Sequence, residues 1–257
     1  MHEFQKKYET QIKKMVAVCR KMGDDKYVTS HGGNISLAVD RSFDKKNVKS
    51  NILITPTKKF KGEIEFDDIC IVDYEGNILY APKSGKPTGE LPFHLLLFHE
   101  RPDIVSIVHA HPPHTTALAM SDAGKYLSYP LLPETATEIG PVCIVPFAEP
   151  LTQKLADNFR KYMDKYNAFL MENHGITMIY PEDPERTIQL IDLIECTSKS
   201  IIAALSSGKL KSLSKDDVTD LENTRTTRNM PLPGKPGVWK SLVDCYNWKE
   251  IENHQKR

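Results

Sequence analysis

The chain has 257 residues, 40% of them apolar and 26% charged, which is an ordinary balance for a globular protein able to bury a sizeable core. Lys plus Arg and Asp plus Glu number 34 each. The resulting net charge of zero disfavours a broad attraction to nucleic acid or an anionic membrane. No apolar run approaches the roughly twenty residues that span a bilayer, and the charged N-terminal segment lacks the apolar core of a signal peptide. The 5 cysteines form no CxxC pair, which predicts reduced thiols, and we expect a cytoplasmic protein.

The N-terminal half of the chain predicts one helix followed by short strands. Apolar residues from Phe4 to Cys19 recur at three- and four-residue steps, which predicts an amphipathic helix that ends near Gly23. A hairpin turn is expected at residues 74–77. The expected strands are 35–39, 51–54, 69–72 and 78–80, and the charged segments 41–51 and 58–63 between them are predicted to be loops.

The C-terminal half predicts alternating strands and helices. A helix beginning at Glu90 or Leu91 is expected to bury Leu91, Leu95 and Phe98, with His94 as a packing or surface residue. Further helices are expected over 114–120, 151–162 and 184–207, and strands over 104–108, 142–145, 168–171 and 176–180. Residues 209–257 contain a proline- and glycine-rich stretch. We predict a C-terminal extension there that packs on the body or on a neighbouring subunit, with a short helix near Trp248.

The pair His109 and His111 is the strongest sign of a metal site. Both follow a β-branched run, and side chains two residues apart in an extended segment point to the same side, so both imidazoles can reach one point. A third histidine, His174, follows another apolar run beside Gly175. Three neutral imidazoles suit Zn²⁺ or another divalent ion. Two polar residues at a strand end would give the same HxH pattern, but His174 and the upstream acid Glu90 favour metal binding.

Two glycine-containing segments predict places for an anionic ligand. The glycines before Asn34 allow positive φ and expose backbone N–H groups, which suits a turn around an anion, although such a turn is more often only a turn. Thr88 and Gly89 come directly before a predicted helix, where unpaired N–H groups and the helix dipole favour an anion. Lys58 has two interpretations, a solvated loop lysine or a cation that contacts a phosphate or carboxylate.

Five ordered motifs resemble those of the class II aldolase/adducin family, which contains L-fuculose-phosphate aldolase and L-ribulose-5-phosphate 4-epimerase. The motifs are GGNIS (32–36), ITPT (54–57), KPTGE (86–90), RPDIVSIVHAH (101–111) and ENHGI (172–176). The resemblance implies an α/β fold, a single three-layer αβα domain over residues 1–208 with a mostly antiparallel central sheet. It also implies a homo-oligomer, a tetramer in the relatives, with sites between subunits.

The resemblance further implies an activity and its residues. The implied enzyme is a zinc-dependent class II aldolase (an aldehyde-lyase) of carbohydrate metabolism. It would cleave a phosphorylated ketose or related 2-hydroxy carbonyl compound through a metal-stabilised enediolate. Zn²⁺, or another divalent metal ion, would be held by His109, His111 and His174, and Glu90 would transfer the proton. The implied anchors of the substrate phosphate are Gly33, Asn34, Thr57, Lys58, Thr88 and Gly89.

Departures from the family pattern leave the substrate and the reaction open. Lys58 stands where the relatives have glycine, and Gly89 replaces a second serine hydroxyl. An approximate alignment puts Leu132 where relatives place a catalytic tyrosine, so the acid that protonates the leaving enolate is unassigned. The alternatives are a sugar-phosphate epimerase, decarboxylase or dehydratase on the same scaffold, and Glu90 favours the aldolase because epimerases carry aspartate there. A non-catalytic adducin-like assembly module is disfavoured, because such modules have lost the metal ligands.

Overall fold

The structure is a computed structural model that describes residues 1–44, 47–83 and 85–255, with side chains described outside 41–49. Residues 45–46 of the predicted loop and residues 256–257 of the predicted extension lie outside the described residues. The five cysteines are free thiols, as predicted. No helix in the described ranges is long and apolar enough to cross a membrane.

Helices and strands alternate along the described chain. The helices are α1 (Glu3–Lys7), α2 (Glu9–Asp24), α3 (Leu91–Glu100), α4 (Pro113–Ala119), α5 (Pro133–Glu138), α6 (Gln153–Arg160), α7 (Pro184–Ser207), α8 (Lys215–Thr227) and α9 (Trp248–Gln255). The strands are β1 (Asn34–Asp44), β2 (Asn47–Ile54), β3 (Cys70–Asp73), β4 (Ile78–Tyr80), β5 (Ser106–Ala110), β6 (Cys143–Val145), β7 (Ala168–Met171) and β8 (Gly175–Tyr180).

The strands form an eight-stranded sheet in the order β4-β3-β2-β1-β5-β8-β7-β6. β1 pairs antiparallel with β2 and with β5, and β3 pairs antiparallel with β2 and with β4. β6 and β7 pair in parallel. The predicted hairpin between β3 and β4 is confirmed, with Gly76 at φ +92° in its turn. The expectation of an α/β fold with a mostly antiparallel sheet is confirmed.

The described chain divides into two compact units. The first comprises Met1–Pro112, Ala148–Ala156 and Thr177–Ile188, and the second comprises Pro113–Phe147, Asp157–Ile176 and Gln189–Arg257. The boundary expected at residue 208 stays a prediction.

The single N-terminal helix predicted from periodicity is wrong, because the chain breaks at Tyr8 into α1 and α2. Tyr8 has φ −110° and ψ 27°, outside helical geometry. Its buried hydroxyl donates to the Asp40 carboxylate at 2.6 Å and accepts from Asn51 Nδ2 at 2.7 Å, which ties the break to β1 and β2. Apolar spacing continues through Tyr8, so the pattern shows no interruption.

Two further predictions in the first unit need correction. The charged segment 41–51 is not a loop over its described part, since β1 and β2 continue through it with a register shift between Val39 and Ser42. On α3 the fully buried face consists of Phe93, His94, Leu97 and Phe98, whereas Leu91 and Leu95 are half-buried. Because α3 is apolar nearly all round, its sequence does not define which face is buried.

In the second unit, α8 lies where the sequence predicts no regular structure. Only Val218 of this helix is fully buried, so its apolar periodicity is weak. A start signal is nevertheless present. The Ser214 hydroxyl accepts from the Asp217 N–H, and the Asp217 carboxylate accepts from the Ser214 N–H, which is a capping box. α9 begins at Trp248, where a short helix is predicted.

The C-terminal segments pack into an apolar cluster with residues from earlier in the chain. Its buried members are Tyr129, Ala136, Val218, Leu242, Cys245, Tyr246 and Ile251, and Trp239 and Trp248 pack against them. The hydroxyl of Tyr246 is buried and has no hydrogen-bond partner among the described residues. Burial raises the pKa of this hydroxyl, so Tyr246 stays neutral.

The substitution Tyr246→Phe is expected to raise the free energy of unfolding by about 1 kcal/mol in urea denaturation, because it removes an unsatisfied buried polar group. The control is Tyr8→Phe, which removes a hydroxyl that has partners and is expected to lower the free energy of unfolding by about 1–2 kcal/mol. A Tyr246→Phe protein as destabilised as Tyr8→Phe would contradict the assignment.

Candidate active site

His109 lies on β5, and His111 follows one residue after the end of that strand. β5 is buried along its whole length and pairs with β1, where Asn34 lies opposite His109. The strand is shifted two residues from its predicted position. The Nε2 atoms of His109 and His111 are 3.0 Å apart, so the two imidazoles converge as their spacing predicts.

His174 comes from a tight turn between β7 and β8. Asn173 has φ +55°, a left-handed conformation that asparagine adopts more readily than most residues, and the His174 N–H donates to the Met171 carbonyl at 3.1 Å. The ligand atoms of His109, His111 and His174 all lie within 4.8 Å of one another. These three side chains form a group that could hold a metal ion.

One contact orients the ring of His109, and a second holds the backbone at His111. Thr177 is fully buried, and its Oγ1 lies 3.2 Å from His109 Nδ1. A partner on the second ring nitrogen fixes the tautomer and orientation of a ligating histidine. The His111 N–H donates to the Tyr27 carbonyl at 2.7 Å. Three imidazoles with one ring fixed from behind form a donor set that fits a divalent ion such as zinc.

Gly33 brings the preceding loop against the histidine strand. Its φ is +68°, and an added Cβ would lie 2.5 Å from Val28 Cγ1 and 2.8 Å from the His109 carbonyl oxygen. An added Cβ at Gly32 would lie 2.9 Å from His111 Cε1. Only glycine fits this approach, so the loop backbone lies directly beside His109 and His111.

Asn34 connects Glu90 with His94. Asn34 Nδ2 donates to Glu90 Oε2 at 2.8 Å, and its Oδ1 accepts from His94 Nε2. Ser36 Oγ donates to His94 Nδ1 at 2.6 Å. Asn34 is only 4% exposed, and both ends of its amide are used by this chain of hydrogen bonds. One carboxylate oxygen of Glu90 is thereby fixed.

The segments that carry Thr57 and Thr88 run side by side. The Thr57 N–H donates to the Lys86 carbonyl, and the Thr88 N–H donates to the Thr55 carbonyl, both at 3.0 Å. Thr88 Oγ1 also accepts from the Glu90 N–H at 3.3 Å. This pairing brings the ITPT and KPTGE motifs together at the start of α3.

Lys58 and Gly89, two of the departures from the family pattern, are both exposed. Lys58 has φ +56°. At Gly89 an added Cβ would lie 3.4 Å from Leu151 Cδ2, which is an ordinary contact. A side chain therefore fits at Gly89, and sterics do not explain the missing serine there.

A family model described as the Class II Aldolase and Adducin N-terminal domain matches residues 13–200. The chain belongs to this family. An L-fuculose phosphate aldolase of Methanococcus maripaludis is 33% identical over 168 residues, which cover 65% of this chain and 83% of that protein. A 3-oxo-tetronate 4-phosphate decarboxylase of Haemophilus influenzae is 28% identical over 211 residues, which cover 81% and 94%. A solved L-fuculose 1-phosphate aldolase shares the fold, with a TM-score of 0.70 and 24% identity over 86% of this chain and 96% of that chain.

Class II aldolases typically depend on a divalent metal ion, and the histidine triad of this chain could bind one. The match to the family confirms the resemblance drawn from the five motifs. The roles assigned to individual residues of this class II aldolase-family protein stay proposals.

His94 is a buried site residue that the sequence analysis places only as packing or surface. It is fully buried, and burial lowers its pKa to about 4 while the nearby Glu90 opposes that shift. His94 is therefore neutral and accepts from Ser36. Two spacings contain a signal for this arrangement: Glu90 and His94 are four residues apart on a helix, and Asn34 and Ser36 are two apart on a strand.

His94 makes the stability of the protein depend on pH. Below its ordinary pKa of 6.5 the unfolded chain binds a proton at His94, whereas the folded chain does so only near pH 4. Its contribution to stability is therefore complete above 6.5 and is lost as the pH falls toward 4. Between about pH 7.5 and about pH 5 the wild type is expected to lose about 2 kcal/mol more free energy of unfolding than His94→Gln, measured in urea. Equal losses in the two proteins would rule out this role.

Lys61 is a second buried residue that the sequence assigns to a charged loop. It is 1% exposed, and its Nζ donates to the carbonyl oxygens of Lys59 at 2.9 Å and His31 at 3.3 Å. Burial lowers the pKa of Lys61, and the charge of Glu90 is among the opposing effects. Lys61 therefore fastens the glycine loop that precedes β1 to the loop that follows Thr57.

Proposed function

We propose that this class II aldolase-family protein is a zinc-dependent lyase that cleaves a carbon–carbon bond of a phosphorylated ketose or related 2-hydroxy carbonyl compound. The observation that carries the proposal is the convergence of His109, His111 and His174. Glu90 is hydrogen-bonded to Asn34, which pairs with His109 in the sheet, so an acid/base group accompanies the triad. The homotetramer and the role in carbohydrate metabolism implied by the family are part of the same proposal.

The histidines would hold a divalent ion that, when bound, supplies Lewis-acid stabilisation of negative charge on the substrate oxygens. Glu90 performs the proton transfer. Asn34 fixes its Oε2, and its Oε1 has no hydrogen-bond partner among the described residues, so this oxygen is free to face the reacting carbon or hydroxyl. During cleavage Glu90 takes the proton of the substrate hydroxyl, the bond's electron pair passes into an enediolate, one fragment leaves as a carbonyl compound, and Glu90 returns the proton to the enediolate carbon.

The phosphate of the substrate would be anchored beside the triad. Gly33 and Asn34 contribute from the loop at the end of the histidine strand, and Thr57 and Thr88, with Lys58 and Gly89, contribute from the paired segments before α3. The positive end of the α3 dipole lies near Thr88, although the N–H groups of Leu91 and Phe93 already bond to the carbonyls of Thr88 and Glu90. Anchoring the phosphate would position the bond that breaks relative to Glu90.

Decarboxylation of a phosphorylated 3-oxo acid is the second candidate. The decarboxylase relative aligns over 81% of this chain, more than the 65% aligned with the aldolase relative. In this reaction the bond to the carboxylate breaks, carbon dioxide leaves, and the electron pair forms an enolate that Glu90 protonates. No substrate hydroxyl has to lose a proton, so the reaction needs one proton transfer fewer than aldol cleavage, which suits a chain with Leu132 at the expected tyrosine position.

The test begins with the metal content of the purified protein, followed by two product assays. Ketose phosphates are screened for release of dihydroxyacetone phosphate or glycolaldehyde-type products, and phosphorylated 3-oxo acids for release of carbon dioxide. About one divalent ion per chain and a product whose release stops with chelator would support the proposal. A protein that binds no metal even in excess Zn²⁺ would overturn it and favour an assembly module. The released product decides between the two reactions.

A further inference from the structure

A basic pocket of about 530 Å³ lies beside Thr57. Its charged lining consists of Lys58, Lys59, Lys83, Lys86 and Asp68. This volume falls within the roughly 300–1,000 Å³ of small-molecule sites. The pocket is therefore large enough for a charged group of a small-molecule ligand.

The acid in this lining is already neutralised. Asp68 forms an ion pair with Lys59 at 2.5 Å, and it also accepts from the Glu65 N–H at 2.7 Å. Lys58, Lys83 and Lys86 form no ion pair within the described part of the chain. Three lysines without an ion-pair partner in the described part of the chain thus line the pocket.

The backbone holds part of this lining in a fixed arrangement. The Thr57 N–H donates to the Lys86 carbonyl at 3.0 Å. Next to that bond, Pro56 and Pro87 are paired in an isolated antiparallel β-bridge. Lys58 follows at φ +56°, a left-handed conformation that is uncommon for lysine and that clusters at ligand sites. The pocket adjoins the proposed phosphate anchor, because Thr57 lines the pocket and is also one of the anchor residues.

We propose that the pocket binds a second phosphoryl group, so that the ligand of this protein carries two of them, as a bisphosphate or a diphosphate ester. One phosphoryl group occupies the anchor at Gly33, Thr57 and Thr88, and the other is held by Lys83 and Lys86. Ammonium groups suit this role because their bonds to phosphate oxygens are charge-assisted. The proposal deepens the proposed function, on which the assignment of the first anchor rests.

The test is calorimetric titration of the protein with inorganic phosphate and with pyrophosphate at constant ionic strength. Pyrophosphate is expected to bind at least about tenfold more tightly than phosphate to the wild type. In Lys83→Ala/Lys86→Ala the preference is expected to fall below about threefold while the melting temperature is unchanged. The control Lys6→Ala/Lys249→Ala removes the same charge from exposed lysines elsewhere and is expected to keep the preference.

Equal affinity of the wild type for the two anions, or a preference that survives in Lys83→Ala/Lys86→Ala, would overturn the proposal. An equally large loss of the preference for pyrophosphate in Lys6→Ala/Lys249→Ala would overturn the proposal as well. Pyrophosphate also chelates divalent ions, so the titrations are repeated with His109→Ala/His111→Ala. A lysine-dependent preference that persists in this histidine variant supports the pocket even where no metal-dependent activity is found, which separates its outcome from that of the proposed function.

Discussion

Replacing His109 and His111 together by alanine is expected to abolish metal binding by the purified protein. Two of the three converging imidazoles are removed, and a single histidine cannot hold a divalent ion against water and buffer. Metal content, measured by inductively coupled plasma mass spectrometry, should fall from about one ion per chain to below about 0.1. Addition of Zn²⁺ should raise the melting temperature of the wild type and leave that of the variant unchanged.

The matched control is His31→Ala/His99→Ala, which removes two exposed histidines outside the triad. It is expected to retain the metal and the response to Zn²⁺. Retention of the ion by His109→Ala/His111→Ala would refute the triad as the metal site. Loss of the ion from both variants would mean that metal binding is not specific to the triad of His109, His111 and His174.

The local sequence pattern was sufficient to predict those helices and strands in which buried apolar residues recur at regular spacing. In α7 the Asp183-Pro184 start and the stripe of isoleucines predict the helix, and Gly208, at φ +149°, follows its end. In β5 the β-branched run predicts the strand to within two residues. The prediction failed where stability comes from elsewhere, as in α8, which buries only Val218 fully, and at Tyr8, whose hydroxyl bonds to residues in β1 and β2.

In the candidate site, too, local pattern predicts some residues and not others. The convergence of His109 and His111 follows from strand periodicity, because the two residues are neighbours on one face. The burial of His94 depends on Asn34, which is 60 residues away in sequence, and that of Lys61 on His31, which is 30 residues away. Neither partner can be read from local pattern, since histidine and lysine are more often exposed than buried. The motifs therefore indicate the groups that are proposed to touch substrate, whereas they give no sign of the groups that hold those residues in place.

Replacing Glu90 by glutamine is expected to lower turnover of the substrate found in the product assays by about 10²–10⁴-fold, the usual contribution of a positioned acid/base group. Glutamine has the same shape, and its amide oxygen can still accept from Asn34 Nδ2, so the fold and the chain of bonds to His94 should persist. Metal content should be unchanged, because the triad supplies three ligands without Glu90. The measurements are initial rates at saturating substrate together with metal content per chain.

The control is Glu100→Gln at the opposite end of α3, which changes the same charge on the same helix and is expected to keep wild-type turnover. A Glu90→Gln protein that keeps its metal and its full turnover would remove Glu90 from the mechanism. A protein that loses both metal and turnover would instead make Glu90 a ligand whose loss empties the site. Only loss of turnover with the metal retained separates proton transfer from metal binding, because Glu90 is linked through Asn34 to the strand that carries His109.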